Sequence, residues 1–346
     1  MIPSWRSFCI HSYLCVLPVI FFLARMKIYI NVLCLLPAVA AFSSPSVGRI
    51  HERGFMGLTM TERSTETAES TSAHQKTSDE VDQLLQKNQE MVQQLKDVAP
   101  ELTDVECLRF AMQFDSFSDA ESALRERLRW SQAEGKAIVD AAQSAVAEAT
   151  SSSEQKWNND PVYASAPHAD VINEFITPKA VMTLSTDDGD LIYVIRASQI
   201  DDKALMDRVS IEELGDYFLY AKEIHQTVAN QRSAATGRLC NVIFANDISG
   251  VRKAPDGRFS KALTSSSDQY ETLYPSLAGP TMILNLPFVL QAFVGLLKPL
   301  FPKSVQKRLV FTRAPVLKSL ETLTPLAEDA TTRQKFVAEV KSLLPN

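Results

Sequence analysis

The second half of this chain alternates short strand-like runs with long helical ones, and few architectures accommodate that order. Runs of β-branched and apolar residues lie at 181–185, 191–197, 239–245, 281–286 and 309–312. Between and after them, apolar residues recur at helical spacing over 210–231, 261–273, 288–300 and 316–323, and a last amphipathic helix is expected over 330–344. Asp187-Asp188-Gly189, between the first two runs, predicts a hairpin. Strands separated by long helices return to one sheet as parallel neighbours, so the pattern predicts an α/β fold with a mainly parallel sheet flanked by helices.

The preceding segment is all helical in character. Ser78-Asp79 has the residue types of an N-cap, and Val81, Leu84, Leu85, Asn88, Met91, Val92 and Leu95 follow at helical spacing before Pro100. Thr103-Asp104-Val105-Glu106 has the residue types of a capping box and opens a second helix carrying Leu108, Phe110, Ala111 and Phe114. A third runs from Ser118 through Trp130, and Ala-rich sequence continues to Thr150. These boundaries give a helical lobe at 78–150, a Ser/Asn-rich linker at 151–160, an α/β domain at 161–325 and a C-terminal helix at 326–346.

The N-terminus reads as an address. From Met26 to Ala41 a basic start at Lys27, an apolar stretch and a small-residue end follow the grammar of a cleavable signal, too short to span a bilayer. Either Met1 or Met26 serves as the start under this reading, and a membrane anchor formed by residues 8–22 is the alternative. Residues 42–77 lack hydrophobic periodicity and are transit-like or disordered. Ala38, Ala40, Ala41, Phe42 and Pro45 together resemble the two-part presequences of algae with complex plastids. That resemblance implies a plastid location, with the secretory pathway or endomembranes as the alternative.

Charge narrows the partners. The chain has 35 basic and 41 acidic residues, a net of −6. Residues 1–41 hold Arg6, Arg25 and Lys27 and no acid, so the remainder has a net of −9. A body this acidic repels a phosphate backbone, which argues against nucleic acid. Of five cysteines only Cys107 and Cys240 lie beyond the N-terminal region, too few for a disulfide framework or a zinc site. They read as small buried hydrophobes in a reducing compartment.

Catalytic signatures are missing. With 11 glycines the chain contains neither GxGxxG nor GxxxxGK[ST], no GxSxG elbow and no HExxH. His168 and His225 are the histidines outside the presequence and transit region, and each reads more simply as a surface or satisfied-core residue than as a general base. No catalytic residue, metal or cofactor is expected.

The most specific stretch runs from Tyr274 to Arg308. Thr281–Leu286 reads as a short buried strand, and Phe288–Leu297 is apolar on nearly every side before Lys298-Pro299 and the basic residues Lys303, Lys307 and Arg308. Such a helix is no ordinary surface helix, and Asn285, Pro287 and Gln291 interrupt it too often for a membrane span. Either it is a central core helix, which periodicity alone favours, or one side faces something apolar that is not protein.

These residues resemble the CRAL-TRIO lipid-binding family, which includes retinaldehyde-, tocopherol- and phosphatidylinositol-transfer proteins. Tyr274-Pro275, Asn285, Pro287 and Lys298-Pro299 match its spacing. Val242-Ile243-Phe244 before Asp247-Ile248-Ser249-Gly250 is similar to its buried strand and Asp-x-x-Gly turn. Leu108-Arg109-Phe110, Phe117, Ala120 and Trp130 resemble its helical accessory lobe. The resemblance implies an apolar pocket closed by a gate helix over Phe288–Leu297. It assigns lipid contact to Tyr274, Phe288, Val289, Phe293, Leu296, Leu297, Phe301 and Arg308, and membrane docking to Lys303 and Lys307. The implied partners are one lipid, a phospholipid, isoprenoid or similar molecule, and a transient membrane surface, met by a monomer. Ser276-Leu277 stands where phosphatidylinositol-binding members carry Glu-Arg, so phosphoinositides are not implied. A lipid-sensing adaptor and a lipid-modifying enzyme are the alternatives to a carrier.

Overall fold

The computed structural model describes residues 79–150, 160–177, 180–185, 190–287, 294, 306 and 308–314. The presequence and transit-like segment, the Asp187-Asp188-Gly189 turn, almost all of 288–307 and the two C-terminal helices expected from the sequence lie outside these residues.

Five helices build the N-terminal lobe: α1 (Glu80–Lys87), α2 (Gln89–Val98), α3 (Asp104–Gln113), α4 (Phe117–Gln132) and α5 (Lys136–Thr150). The apolar run from Val81 to Leu95 is two helices rather than one. At Asn88 (φ −109°, ψ 16°) the side-chain amide donates to the Leu84 carbonyl at 2.8 Å, competing with the helical backbone for that acceptor. The capping box at Thr103 forms as expected: the Thr103 N–H donates to Glu106 Oε2 at 2.8 Å, and the Glu106 N–H donates to Thr103 Oγ1 at 3.3 Å. α3 then buries Val105, Cys107, Leu108, Phe110 and Ala111 in a core shared with α1, α2 and α4. Gly135 is required by a close approach, because a Cβ there would lie 2.4 Å from the Trp130 ring.

Two short helices, α6 (Asp160–Ala164) and α7 (Ala169–Ile172), lead into the sheet. Its strands are β1 (Val181–Ser185), β2 (Leu191–Arg196), β3 (Val242–Asp247), β4 (Ala278–Leu284) and β5 (Leu309–Phe311), adjacent in chain order. β1 and β2 pair antiparallel, with Ser185 opposite Leu191, which is the hairpin the sequence predicts. β2 to β5 are parallel, and Tyr193, Phe244, Thr281 and Leu309 lie in register across them. β4 carries an irregularity between its pairings to Val242 and Phe244, at Gly279-Pro280. Pro280 has no N–H to give the ladder, which suits it to a bulge.

The crossovers explain the layering. α8 (Asp202–Met206) and α9 (Ile211–Thr236) connect β2 to β3, and α10 (Gly257–Asp268) and α11 (Tyr270–Leu273) connect β3 to β4. Right-handed crossovers that keep moving in one direction fall on one side of a sheet. α9 and α10 share a core with Leu191, Tyr193, Ile195, Val242, Phe244, Ile283 and Leu309, which is the helix face. α9 begins at a Ser210–Glu213 capping box and ends at Gly237 in the left-handed region (φ 70°). The observed β3 starts later than expected from the apolar run at 239–245. Leu239 and Cys240 turn their backbone groups to the lobe instead: Leu239 N–H donates to Glu80 Oε2 at 3.0 Å, and the Cys240 carbonyl accepts from Arg109 at 2.6 Å.

Candidate functional site

The other side of the sheet is built by the alternate residues of the same strands. Ile192 and Val194 of β2, Ile243 and Ala245 of β3, and Met282 and Leu284 of β4 point there, each at most 5% exposed. None of the six belongs to the core that packs beneath α9 and α10. Three adjacent parallel strands thus present a buried floor without a single polar side chain. The signal was present in Leu191-Ile192-Tyr193-Val194-Ile195, whose unbroken apolar run marks a strand buried on both faces.

Polar groups appear only where the floor ends, at the C-terminal edge of β2, β3 and β4. Arg196 Nε lies 3.6 Å from Asp247 Oδ2. Asp247 Oδ1 accepts from Asn285 Nδ2 at 2.7 Å and from the Ser249 N–H at 2.8 Å. Asn285 is left-handed (φ 55°), and its N–H donates to the Ala314 carbonyl at 3.1 Å. Asp247 and Asn285 were visible in the sequence as separate motif residues. Their contact was not, because 38 residues separate them.

The residues expected to touch lipid divide sharply. Phe288, Val289, Phe293, Leu296, Leu297, Phe301, Lys303 and Lys307 lie outside the described residues. Tyr274 is fully buried within the helix-face core, so it is not brought to the floor. Its ring meets Trp130 edge-on at 6.5 Å and lies 5.4 Å from the Arg127 guanidinium carbon. Arg308 sits at the opposite end of the sheet from the Asp247 cluster, where Nη1 donates to the Ala278 carbonyl at 3.1 Å.

The buried charged groups of the helix face have partners, whereas Gln226 Oε1, Asn246 Oδ1 and the Tyr270 hydroxyl are buried without a hydrogen bond. Arg109, fully buried, donates to Asn230 Oδ1 at 2.6 Å and to the carbonyls of Ser276 at 2.8 Å and Cys240 at 2.6 Å. Burial pulls its guanidinium down to about 10. Arg127 grips Glu223 with both terminal nitrogens, one at 2.9 Å. Burial opposes the charge of Arg127, but the Glu223 charge and hydrogen bonds prevail and hold it above the usual arginine value. Lys222 donates to the Ser266 carbonyl and lies 5.5 Å from the Tyr270 ring centroid, and burial brings its ammonium down to about 7.

His225 and Thr183 Oγ1 are 2.9 Å apart, and burial, with the Lys222 charge, takes the imidazole down to about 3. His225 is therefore a satisfied core histidine. His168 precedes α7 in the left-handed region (φ 56°), makes no side-chain capping bond and lies 3.5 Å from Glu213. Cys107 and Cys240 are buried and unbridged, as expected, and burial raises the Cys107 thiol to about 11, far from reactive. Among the described residues no group of His, Cys, Asp or Glu could hold a metal ion, and no helix is long and apolar enough to cross a membrane.

Residues 177–327 match the CRAL/TRIO domain family. No curated protein matches the chain. Among solved structures, Sfh5 is similar over 62% of this chain and 65% of its own length, under two thirds, at 13% identity and a TM-score of 0.38. The parallel sheet, the helices on one of its faces and the helical N-terminal region agree with the family match, and over residues 177–327 the chain carries a CRAL/TRIO domain.

Proposed function

We propose that the chain holds one lipid in a cavity between the helix face of its sheet and the helices α9 and α10 and carries it, chemically unchanged, between membranes as a monomer. Membership of the CRAL/TRIO family supports lipid binding at the level of the family. The observation that carries the finer reading is a cavity of about 290 Å³ on the helix face, walled by Tyr193, Ile195, Phe218 and Phe259, with Val294 of the apolar segment packed against the same core. An acyl chain or isoprenoid in such a cavity gains about 0.8 kcal/mol per methylene removed from water, which makes escape into water slow. Release then needs a membrane. Lys303, Lys307 and Arg308 follow the apolar segment in sequence and would lead the approach of an acidic chain to an anionic bilayer.

Two features support a carrier over a catalyst. His225 and Lys222 belong to α9 on the helix face, and each already has a partner. Of the residues lining the cavity, the charged ones are Asp202, Arg252 and Lys253, and Asp202 already accepts the Asp256 N–H at 2.6 Å. The presequence reading, with Phe42 directly after Ala41, places this exchange in a plastid-like organelle. Transfer is tested by mixing the purified chain with donor vesicles holding a fluorescent phospholipid or carotenoid and unlabelled anionic acceptor vesicles. The proposal expects transfer that rises in proportion to protein concentration. Stable binding without transfer would assign the chain to lipid sensing, as an adaptor.

A further inference from the structure

The floor on the other side of the sheet is buried, and no described helix accounts for its burial. Ile192, Val194, Ile243, Ala245, Met282 and Leu284 are each at most 5% exposed. Helices α5 to α11 contribute to the helix-face core, and α1 to α4 enclose the core of the lobe. Neither core includes any of the six. An apolar face of three adjacent strands therefore has a cover that comes from elsewhere in the chain.

Topology selects which segment can supply it. The connection from β4 to β5 joins parallel neighbours and moves in the same direction as the two crossovers before it, so a right-handed path carries it over the helix face. Val294, in the middle of that connection, packs against the helix-face core. The linker at 151–159 joins α5 to α6, which both pack on the helix face. Residues 42–77 lack the apolar periodicity a cover needs.

The chain after β5 is placed differently. The Ala314 carbonyl accepts the Asn285 N–H at 3.1 Å, one residue beyond Leu284 of the floor, so residues 315–346 set out from the border of that face. Their apolar residues fall on single helical faces: Val316, Leu320 and Leu323, then Phe336, Val337, Val340, Leu343 and Leu344. A helix over 330–344 is about 22 Å long and about 10 Å wide, while the outer two of three adjacent strands lie about 10 Å apart. One such helix is large enough to close the floor.

We infer that the floor is the docking surface for the chain's own C-terminal segment, residues 316–344, whose apolar helical faces close it. A surface without polar side chains suits this occupant, because docking then needs apolar area and no hydrogen-bond register. The floor lies on the opposite side of the sheet from the lipid cavity, and the inference does not rest on the transfer reading.

Met282 provides the probe, since it lies on the floor. The full chain is produced with photo-methionine, a diazirine analogue, irradiated after purification, and its cross-links are mapped by mass spectrometry. Met282 is expected to cross-link to residues within 316–344 of the same molecule. Mixing isotope-labelled and unlabelled chains separates this from contact between two copies. Val340→Asp with Leu343→Asp places charge on the docking face and should abolish the cross-link. If that double variant fails to fold, the map of the unaltered chain decides alone. Cross-links from Met282 to 288–307, to residues before 79, to a second copy or to bound lipid overturn the inference. So does a cross-link of unchanged yield in the folded double variant.

Discussion

The two faces of the sheet are made by alternate residues of the same strands, yet they bury opposite chemistries. The helix face lies beside Arg109, the Arg127–Glu223 pair, Lys222 and the His225–Thr183 contact, all buried or nearly so and all partnered by other parts of the chain. The floor buries six apolar side chains and no polar one until Arg196 and Asp247 at its edge. A face with a fixed covalent neighbour can carry buried polar groups, because the same partner atoms always return to satisfy them. The floor has no polar group to satisfy until its edge, so it needs no such partners. A polar group placed there without a partner would cost about 1–3 kcal/mol.

The largest expected effect lies on the helix face. Arg109→Ala leaves Asn230 and the carbonyls of Ser276 and Cys240 without their donor. It should lower stability by about 3 kcal/mol or more in urea unfolding, by loosening the lobe from the sheet. A loss under 1 kcal/mol would break the contrast, because the buried polar groups would then be incidental to holding the face together.

The second effect is a pH dependence. The folded His225 value of about 3 lies below the ordinary 6.5. Between those values the unfolded chain takes up a proton that the folded chain refuses, so stability falls as pH drops from 6.5 toward 3, by up to about 1.4 kcal/mol per pH unit. Lys222 acts in a separate window, from its ordinary 10.5 down to about 7. His225→Gln should flatten the stability profile between pH 6.5 and 4. A profile as steep as that of the unaltered chain would assign the acid sensitivity to other groups.

Much of the fold was legible in the sequence because its cause is local. The alternation of strand and helix runs, the Asp187-Asp188-Gly189 hairpin and the Thr103–Glu106 capping box depend on residues a few positions apart. Boundaries failed where a distant partner decided them. Leu239 and Cys240 look like strand, but Glu80 and Arg109 claim their backbone groups. Asn88 looked like part of a helical face, but its amide returns to Leu84. The floor itself was legible only as an unbroken apolar run. Which alternate residues face the helices depends on the side the crossovers take, and that is a property of the whole sheet. Tyr274 shows the same limit: its place in a recognisable motif is local, while its neighbours Trp130 and Arg127 come from the lobe.

The smallest effect tests a single partner. Thr183→Val removes the hydroxyl that meets His225 and should cost about 1 kcal/mol, with no change in lipid occupancy. Loss of bound lipid in this variant would show that the His225 contact also shapes the cavity, which would sharpen the comparison into a mechanism.

The central claim is that the helix-face cavity holds the lipid, and occupancy measured by native mass spectrometry tests it most directly. The purified chain should carry one lipid per molecule after exposure to vesicles. Val251→Trp, which adds bulk to the wall of the cavity at a cost of about 1–3 kcal/mol, should remain folded and empty. A folded Val251→Trp variant carrying as much lipid as the unaltered chain would contradict the account.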